Sequence, residues 1–417
     1  MPHRRIQRKA EQSHFEDPPL SRESGEPVGR WLGGKVKTVH LCSTRPQKIP
    51  ASIELRAKGN TPRSMTRPRK RAILRVLQLV ICLGAVLLTL RLSLFVIGDE
   101  SKPLPVDNDA RRLMIEAEAD NTRRSLNVDR VCKKYNLGFY RKLAEDSPFK
   151  HPPAPQYMVF YMDRAHNISY CPVYKAGTTT WLYNLCLLMN VPEETLNNGK
   201  EQLSTVARRV IPELDYPEAA QVLKASWKLL VVRHPFERLL SAYRDKLENS
   251  VAGREHGTLH FYRKYGAKIV SKYRGKDFVQ PRADQVIRRE GAPPPAGVEP
   301  TFREFVNYII DTDLGGYGDD HWMPYYLYCT PCLVRYDIIA KVETLWRDQV
   351  YAINKLGLQD KIRPRWRHSN SQANASRVYF SQLTKTMVRR LHEKLRLDFE
   401  LFNYSADVYY EYATSVY

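Results

Sequence analysis

Cysteine is scarce, with seven residues in a chain of 417. That is too few for a small scaffold stapled by disulfides. No Gly-x-x-x-x-Gly-Lys-Ser/Thr string occurs, which disfavours an ATPase or GTPase built on that loop. Zinc-finger spacing is missing, so nothing beyond charge supports nucleic-acid binding. No internal repeat is present. There is a single long apolar run, near residue 80, which excludes a polytopic channel or transporter. The same run excludes a purely soluble cytosolic chain. Negative charge is in deficit: 45 Asp+Glu face 66 Lys+Arg, for a net charge of +21. Such a balance suits an anionic partner, whether lipid, nucleotide or acidic glycan. What is abundant is core-forming material: 43% hydrophobic residues, including 25 Tyr, 13 Phe and 6 Trp.

The charge is concentrated at the start. Residues 1–75 hold 18 Lys+Arg and 6 Asp+Glu, leaving +9 of the +21 for the remaining 342 residues. Residues 1–71 read as a basic, largely disordered cytosolic tail. Residues 72–97 read as a transmembrane signal anchor around the uncharged stretch Val76–Leu90, with Arg75 and Arg91 reaching the headgroups. The run starts too far in, and lacks the cleavage site, for a signal peptide. Arg67, Arg69, Lys70 and Arg71 precede it, whereas Asp99 and Glu100 follow, so the N-terminus is expected in the cytosol. Met65 offers an alternative start. Residues 98–130 read as a stem, helical around Ala110–Ala119, and 131–417 as a lumenal domain. Sequons at Asn167, Asn374 and Asn403 fit lumenal placement. Of the five cysteines on that side (Cys132, Cys171, Cys186, Cys329 and Cys332), at most four can pair, and one thiol is left over.

In 131–417, apolar runs and helical periods alternate. Tyr157–Met162, Ser169–Val173, Ser226–Val232 and Tyr336–Val342 read as strands. Thr179–Met189, Pro235–Asn249, Thr301–Ile310, a segment from Thr344, and Ser381–Leu395 read as helices. Pro235 suits the first helical position. Strands alternating with helices imply a three-layer α/β domain with a mainly parallel sheet.

Two strand-to-helix turns carry the chemistry. In the first, Lys175, Ala176, Gly177, Thr178, Thr179 and Thr180 lead into a helix whose N-terminal amides favour an anion. Gly177 permits close approach and Lys175 supplies a mobile charge; the plain alternative is an ordinary turn with threonine caps. In the second, the strand ends at Arg233-His234 and a helix enters at Pro235. Arg233 can fork two donors onto a phosphate, and Ser241, eight residues on, can add a hydroxyl. Glu237 and Arg238 read as solvated helix charges; Leu239, Leu240 and Tyr243 read as core.

Together, Tyr174–Trp181 and the string Arg233-His234-Pro235-Phe236-Glu237-Arg238-Leu239-Leu240-Ser241 resemble the paired motifs of the lumenal carbohydrate sulfotransferases, in the branch that includes chondroitin and dermatan 4-O-sulfotransferases. Phe261–Tyr265, Asp320–Pro324, Cys329-x-x-Cys332 and Tyr336–Thr344 extend the similarity over roughly 130–405. Tyr174, Thr180 and His234 depart from the family pattern, where Pro, Asn and Asp stand. The resemblance implies a P-loop-like sulfotransferase fold, Golgi membrane placement, and 3′-phosphoadenosine 5′-phosphosulfate as donor with no metal. It implies that the first loop holds the 5′-phosphosulfate and the second the 3′-phosphate. The acceptor would be an N-acetylgalactosamine-containing glycan, most simply chondroitin or dermatan sulfated at the 4-O position. A lysine at the first turn suits the charge that grows on a leaving phosphate.

A base is needed for the acceptor hydroxyl. His321 is the leading candidate, with Asp320 as a carboxylate able to orient it; His234 lies inside the donor motif and suits that role less. Arg263, Lys264, Lys268 and Lys272 can line an acidic-glycan groove or simply face solvent. Two other functions compete. A type II glycosyltransferase would use Asp311-Thr-Asp313 for a metal and a sugar nucleotide. A non-enzymatic lumenal glycan-binding protein would use only the positive charge. Cys329-Thr-Pro-Cys332 lacks a thioredoxin-like context and reads as a pair of structural disulfide cysteines.

Overall fold

The computed structural model describes residues 108–142, 145–253, 258–288, 293–365 and 374–415. The tail, the anchor and Met65 lie outside them. Among the described residues no helix is long and apolar enough to cross a membrane.

The first element is a 27-residue helix, α1 (Asn108–Lys134). Strands β1 (Tyr161–Asp163) and β2 (Ile168–Cys171) follow, then helix α2 (Thr178–Leu188). Next come β3 (Trp227–Val232), α3 (Pro235–Lys246), α4 (Thr258–Phe261) and α5 (Phe302–Asp311). The chain closes with β4 (Ile338–Lys341), α6 (Leu345–Lys355), α7 (Ala375–Phe380) and α8 (Lys385–Leu401). The sheet order is β1-β2-β3-β4; β1 is antiparallel to β2, and β2, β3 and β4 run parallel. Register pairs Cys171 with Leu230 and Val232 with Lys341. The three parallel strands therefore end along one edge, the usual position of a ligand crevice in an open α/β sheet.

Strand alternation builds three layers. Leu229, Val231, Ile338 and Ala340 face a core shared with Trp181, Leu185, Tyr351 and Ile353 of α2 and α6. Leu230, Val232 and Ile339 face the opposite core, with Val128 and Val131 of α1 and Leu397 and Leu401 of α8. A third cluster joins α3, α5, α7 and α8 through Phe236, Phe305, Phe380 and Phe399. The mainly parallel α/β expectation is met.

Some boundaries differ. Tyr157–Val159 is a 3-10 turn, not the start of a strand. The helix suggested around Ala110–Ala119 runs to Lys134, so the expected boundary at 130/131 falls inside α1. Besides the apolar packing of Val128 and Val131, polar contacts tie it to the sheet edge. Asn121 donates to the Asp337 carbonyl and accepts from the Ile339 amide, each at 2.8 Å. Arg124 reaches the Ile339 carbonyl at 2.7 Å and Asp348 at 2.6 Å. These contacts cover the free edge of β4, which would otherwise present unpaired backbone groups.

Two disulfides join Cys132 to Cys332 and Cys171 to Cys329, and Cys186 is a buried free thiol. The CxxC cysteines thus bond to separate partners and not to each other. Asn167, Asn374 and Asn403 are all exposed, each with a positive φ.

Candidate active site

The first turn leaves β2 at Cys171. The Ala176 amide and the Thr178 hydroxyl both donate to the Val173 carbonyl, at 3.0 and 2.5 Å, which curls the loop back toward the strand. Two residues in it are left-handed: Lys175 at φ 70° and Gly177 at φ 75°. Glycine suits that region; for lysine it is uncommon and costs about 1–2 kcal/mol. Thr178 and Thr180 are buried, so of the three threonines only Thr179 is half exposed. The threonines therefore form no exposed cluster of three hydroxyls; of the first amides of α2, those of Thr180 and Trp181 donate to the Gly177 carbonyl at 3.1 and 3.4 Å, and those of Thr178 and Thr179 precede them at the helix start.

The second turn meets the first. Arg233 Nη1 lies 3.4 Å from the Lys175 carbonyl and Nη2 lies 3.4 Å from Glu237. The Lys175 ammonium sits 3.0 Å from Asp245, one helical turn beyond the half-buried Ser241 on α3. Burial pushes the Lys175 pKa down, while Asp245 works against that. Asp245 also pairs with Lys246 at 3.3 Å. Despite its burial, these two lysines hold its carboxyl well below the usual range. Asp245 carries no motif of its own, and the sequence reading missed it. Its signal was the i+4 spacing from Ser241.

Other motif residues hold the site rather than line it. His234 caps α3: its Nδ1 accepts from the Phe236 amide at 3.2 Å and its Nε2 lies 2.8 Å from the Ser405 carbonyl. Its ring stacks on Tyr409. Both ring nitrogens are engaged, so His234 is unsuited to act as a base. Pro235, Phe236, Leu239 and Leu240 are buried in the helical core. Arg238 is not solvated; it is 4% exposed and donates to the carbonyls of Tyr174, Asp320 and Met323 at 2.9, 2.9 and 2.7 Å. Glu237 accepts from Tyr409 at 2.7 Å and from Ser376. Helical spacing could have exposed the Arg238 error, because the position lies three after buried Pro235 and four before buried Ala242.

Through Arg238 the first turn is tied to the loop of His321. The His321 ring stacks on Tyr174, with centroids 4.8 Å apart, and meets the edge of Phe261. Its Nδ1 lies 2.7 Å from Asp319, not Asp320. Asp319 also accepts from Tyr265 at 2.8 Å. Burial would raise the Asp319 pKa, but hydrogen bonds from His321 and Tyr265 hold it down to about 2. Burial lowers the His321 pKa, partly offset by Asp319. A carboxylate on Nδ1–H leaves Nε2 as the acceptor, which is the arrangement of an oriented general base.

The metal cue has other work. Asp311 accepts from Tyr273 and pairs with Arg390; Asp313 caps a helix and pairs with Lys150. Among the described residues no cluster of three or more His, Cys, Asp or Glu is placed to hold a metal ion.

The model of the family described as Sulfotransferase family matches residues 158–405. The chain is 28% identical over 312 residues to carbohydrate sulfotransferase 8 of Mus musculus, covering 73% of this chain and 68% of that protein. It is 30% identical over 318 residues to carbohydrate sulfotransferase 9 of Homo sapiens, covering 73% of this chain and 63% of that protein, just under two thirds. With carbohydrate sulfotransferase 11 of Rattus norvegicus it shares 30% identity over 261 residues, 60% of this chain and 67% of that protein. No solved structure matches. The family match over residues 158–405 spans both turns and places the chain in the sulfotransferase family, with carbohydrate sulfotransferases among the proteins it is similar to.

Proposed function

We propose that the protein transfers a sulfuryl group from 3′-phosphoadenosine 5′-phosphosulfate to a glycan hydroxyl, with the 4-O position of N-acetylgalactosamine in chondroitin or dermatan as the favoured acceptor. The observation that carries this is the contact of the Arg233 guanidinium with the Lys175 carbonyl at 3.4 Å, which joins the turns that follow two adjacent parallel strands, with His321, paired to Asp319, stacked on Tyr174 of the first turn. Two anion-binding turns on one sheet edge suit a nucleotide with phosphates at both ends.

The residues divide the work. The first-turn amides of α2 and Lys175 take the 5′ side; Arg233 and Ser241 take the 3′-phosphate. His321 Nε2 accepts the acceptor's hydroxyl proton. The acceptor oxygen forms the new O–S bond as the bond from sulfur to the bridging phosphate oxygen breaks, and 3′,5′-adenosine bisphosphate departs. Negative charge grows on that phosphate, next to the Lys175 ammonium, where a fixed cation stabilises the transition state more than the ground state. Exposed Arg263, Lys264, Lys268 and Lys272 follow α4, and Lys264 lies 3.7 Å from Asp319 of the His321 loop, a charge that suits the more distant anionic units of a glycosaminoglycan.

The test is incubation of the 98–417 domain with labelled donor and a panel of desulfated glycans, followed by disaccharide analysis. Label at the 4-position of N-acetylgalactosamine is expected; label on no glycan refutes the enzymatic reading. Signal-anchor topology in the Golgi membrane belongs to the same proposal, supported by the charge bias around 72–97. Protease added to sealed microsomes should leave residues 99–417 intact, and digestion there without detergent refutes it.

A further inference from the structure

A lysine in the last turn of a helix ordinarily complements the helix dipole from solvent. Lys246 ends α3, yet its side chain is only 14% exposed. Its ammonium lies 3.3 Å from Asp245 Oδ2, the same oxygen that the Lys175 ammonium approaches at 3.0 Å. The separation of the two ammonium groups therefore cannot exceed the sum of those distances. One carboxylate serves two cations, so positive charge is left over in a largely enclosed place, where charge is normally balanced. On its other side the Lys246 ammonium lies over the Phe261 ring, 5.2 Å from the centroid. Phe261 meets the His321 ring at a centroid distance of 5.2 Å, and His321 in turn stacks on Tyr174, the chain neighbour of Lys175. Lys246 thus joins the proposed leaving-group lysine to the proposed base through one neighbour on each side. Its charge is felt at both: burial does most to lower the pKa of Lys175 and of His321, and Lys246 adds to that lowering in each.

The proposed transfer moves sulfur from an oxygen beside Lys175 to an oxygen beside His321 Nε2. The three other sulfuryl oxygens stay bonded to sulfur throughout and carry the negative charge of that group. They call for a cation between the two ends of the path, one that exchanges no proton. His321 is neutral when it acts as a base. Arg233 is turned toward Glu237 and is assigned to the 3′-phosphate. Lys264 is 52% exposed and lies 3.7 Å from Asp319. Lys246 has the required place, between Asp245 with its paired Lys175 and the ring that abuts His321.

We propose that Lys246 binds the nonbridging oxygens of the sulfuryl group and holds sulfur in line between the leaving phosphate and the acceptor hydroxyl. This rests on the sulfotransferase reading above. Asp245 fixes the spacing of the two ammonium groups, so that Lys175 meets the phosphate and Lys246 the sulfonate. The donor and its product, 3′,5′-adenosine bisphosphate, differ by that sulfonate alone, which supplies the test. Both nucleotides are titrated calorimetrically into the full chain without acceptor. Lys246→Met keeps the apolar stem and removes the charge. Its affinity for the donor should fall by roughly 10- to 100-fold, while affinity for the bisphosphate should stay within about twofold of wild type. Retained bisphosphate binding also shows that the variant is folded. Lys246→Arg keeps the charge and should hold donor affinity within about fivefold of wild type. Equal loss of both nucleotides in Lys246→Met overturns the assignment, and so does loss of neither. A Lys246→Arg variant that loses as much donor affinity as Lys246→Met overturns it too, since packing rather than charge would then be at work. A wild type that binds neither nucleotide refutes the sulfotransferase reading, and this assignment with it; a wild type that binds both separates the two questions.

Discussion

The Tyr325 hydroxyl receives a hydrogen bond from the Arg233 amide at 2.9 Å and donates one to the Arg233 carbonyl at 2.8 Å. One phenol thus clamps both backbone polar groups of the residue proposed to hold the 3′-phosphate. Tyr325 is itself fully buried, and its amide is fixed by Asp398 at 2.8 Å. The strand end is anchored from below rather than by its own turn.

Tyr325→Phe keeps the ring and removes the clamp. Leaving a buried amide and carbonyl without partners costs about 1–3 kcal/mol of stability. Affinity for 3′,5′-adenosine bisphosphate should fall by several-fold, since Arg233 stays present but loses its fixed position. Arg233→Ala should fall much further, by roughly 30- to 1,000-fold, because a charge-assisted bidentate contact is lost outright. Equal affinities for wild type and Tyr325→Phe, measured by calorimetry, would show that the clamp has no part in donor binding.

Arg238 gives the opposite pattern. Its guanidinium satisfies three carbonyls from two separate loops and lies over the Tyr325 ring. A lysine gathers its three donors on one nitrogen and cannot span carbonyls that Arg238 reaches separately with Nε, Nη1 and Nη2. Arg238→Lys should therefore lower unfolding stability by about 2–4 kcal/mol, read from urea denaturation. A variant as stable as wild type would mean that the carbonyls are satisfied in some other way.

These two residues also show what could be read from the chain itself. The parallel strands were legible because β2, β3 and β4 are short apolar runs bounded by turn residues, and the α3 start was legible from Pro235. The two strand-to-helix turns were legible as residue types in order. What holds them was not, because polar tethers leave no periodic trace. Arg238 and Glu237 look like solvated helix charges until the loops that wrap α3 are in place. Helix α1 read as stem for the same reason: Asn121 and Arg124 attach it by hydrogen bonds to a strand edge more than 200 residues away. Choosing Asp320 over Asp319 as the partner of His321 failed because neighbours in sequence cannot be distinguished without the backbone turn that directs them.

The Asp319–His321 pair sets an expected pH dependence. Burial holds the His321 pKa below its usual 6.5, so the neutral imidazole dominates above that pH. As pH falls through the lowered value, His321 gains a proton and kcat/KM should decline. Asp319→Asn removes the charge that opposes this shift, so the acid limb should move to still lower pH. Turnover should drop on the order of 10- to 100-fold, because the ring loses its orienting partner. Donor-product affinity should be unchanged. An acid limb that stays in place in both Asp319→Asn and His321→Ala would assign it to another group.

The last test concerns Lys175 and Asp245 together. Lys175→Ala should lose around 10²–10³-fold in turnover, in line with removal of one preorganised transition-state donor, while donor affinity changes less. Asp245→Asn keeps the lysine but takes away its counter-ion. Lys175 then faces only burial and the cations Lys246 and Arg233, all of which lower its pKa. The direction follows from that: the ammonium is lost at a lower pH than in wild type, so the alkaline limb of kcat should move toward neutrality. Lys175→Ala should have no such limb, because no proton remains to be lost there. If Asp245→Asn leaves the limb in place while Lys175→Ala removes it, the carboxylate does not tune the lysine, and its role is limited to the ion pair. If Lys175→Ala turns over normally with donor bound, the first loop is a structural turn only. The proposed mechanism then fails, whatever Asp245 does.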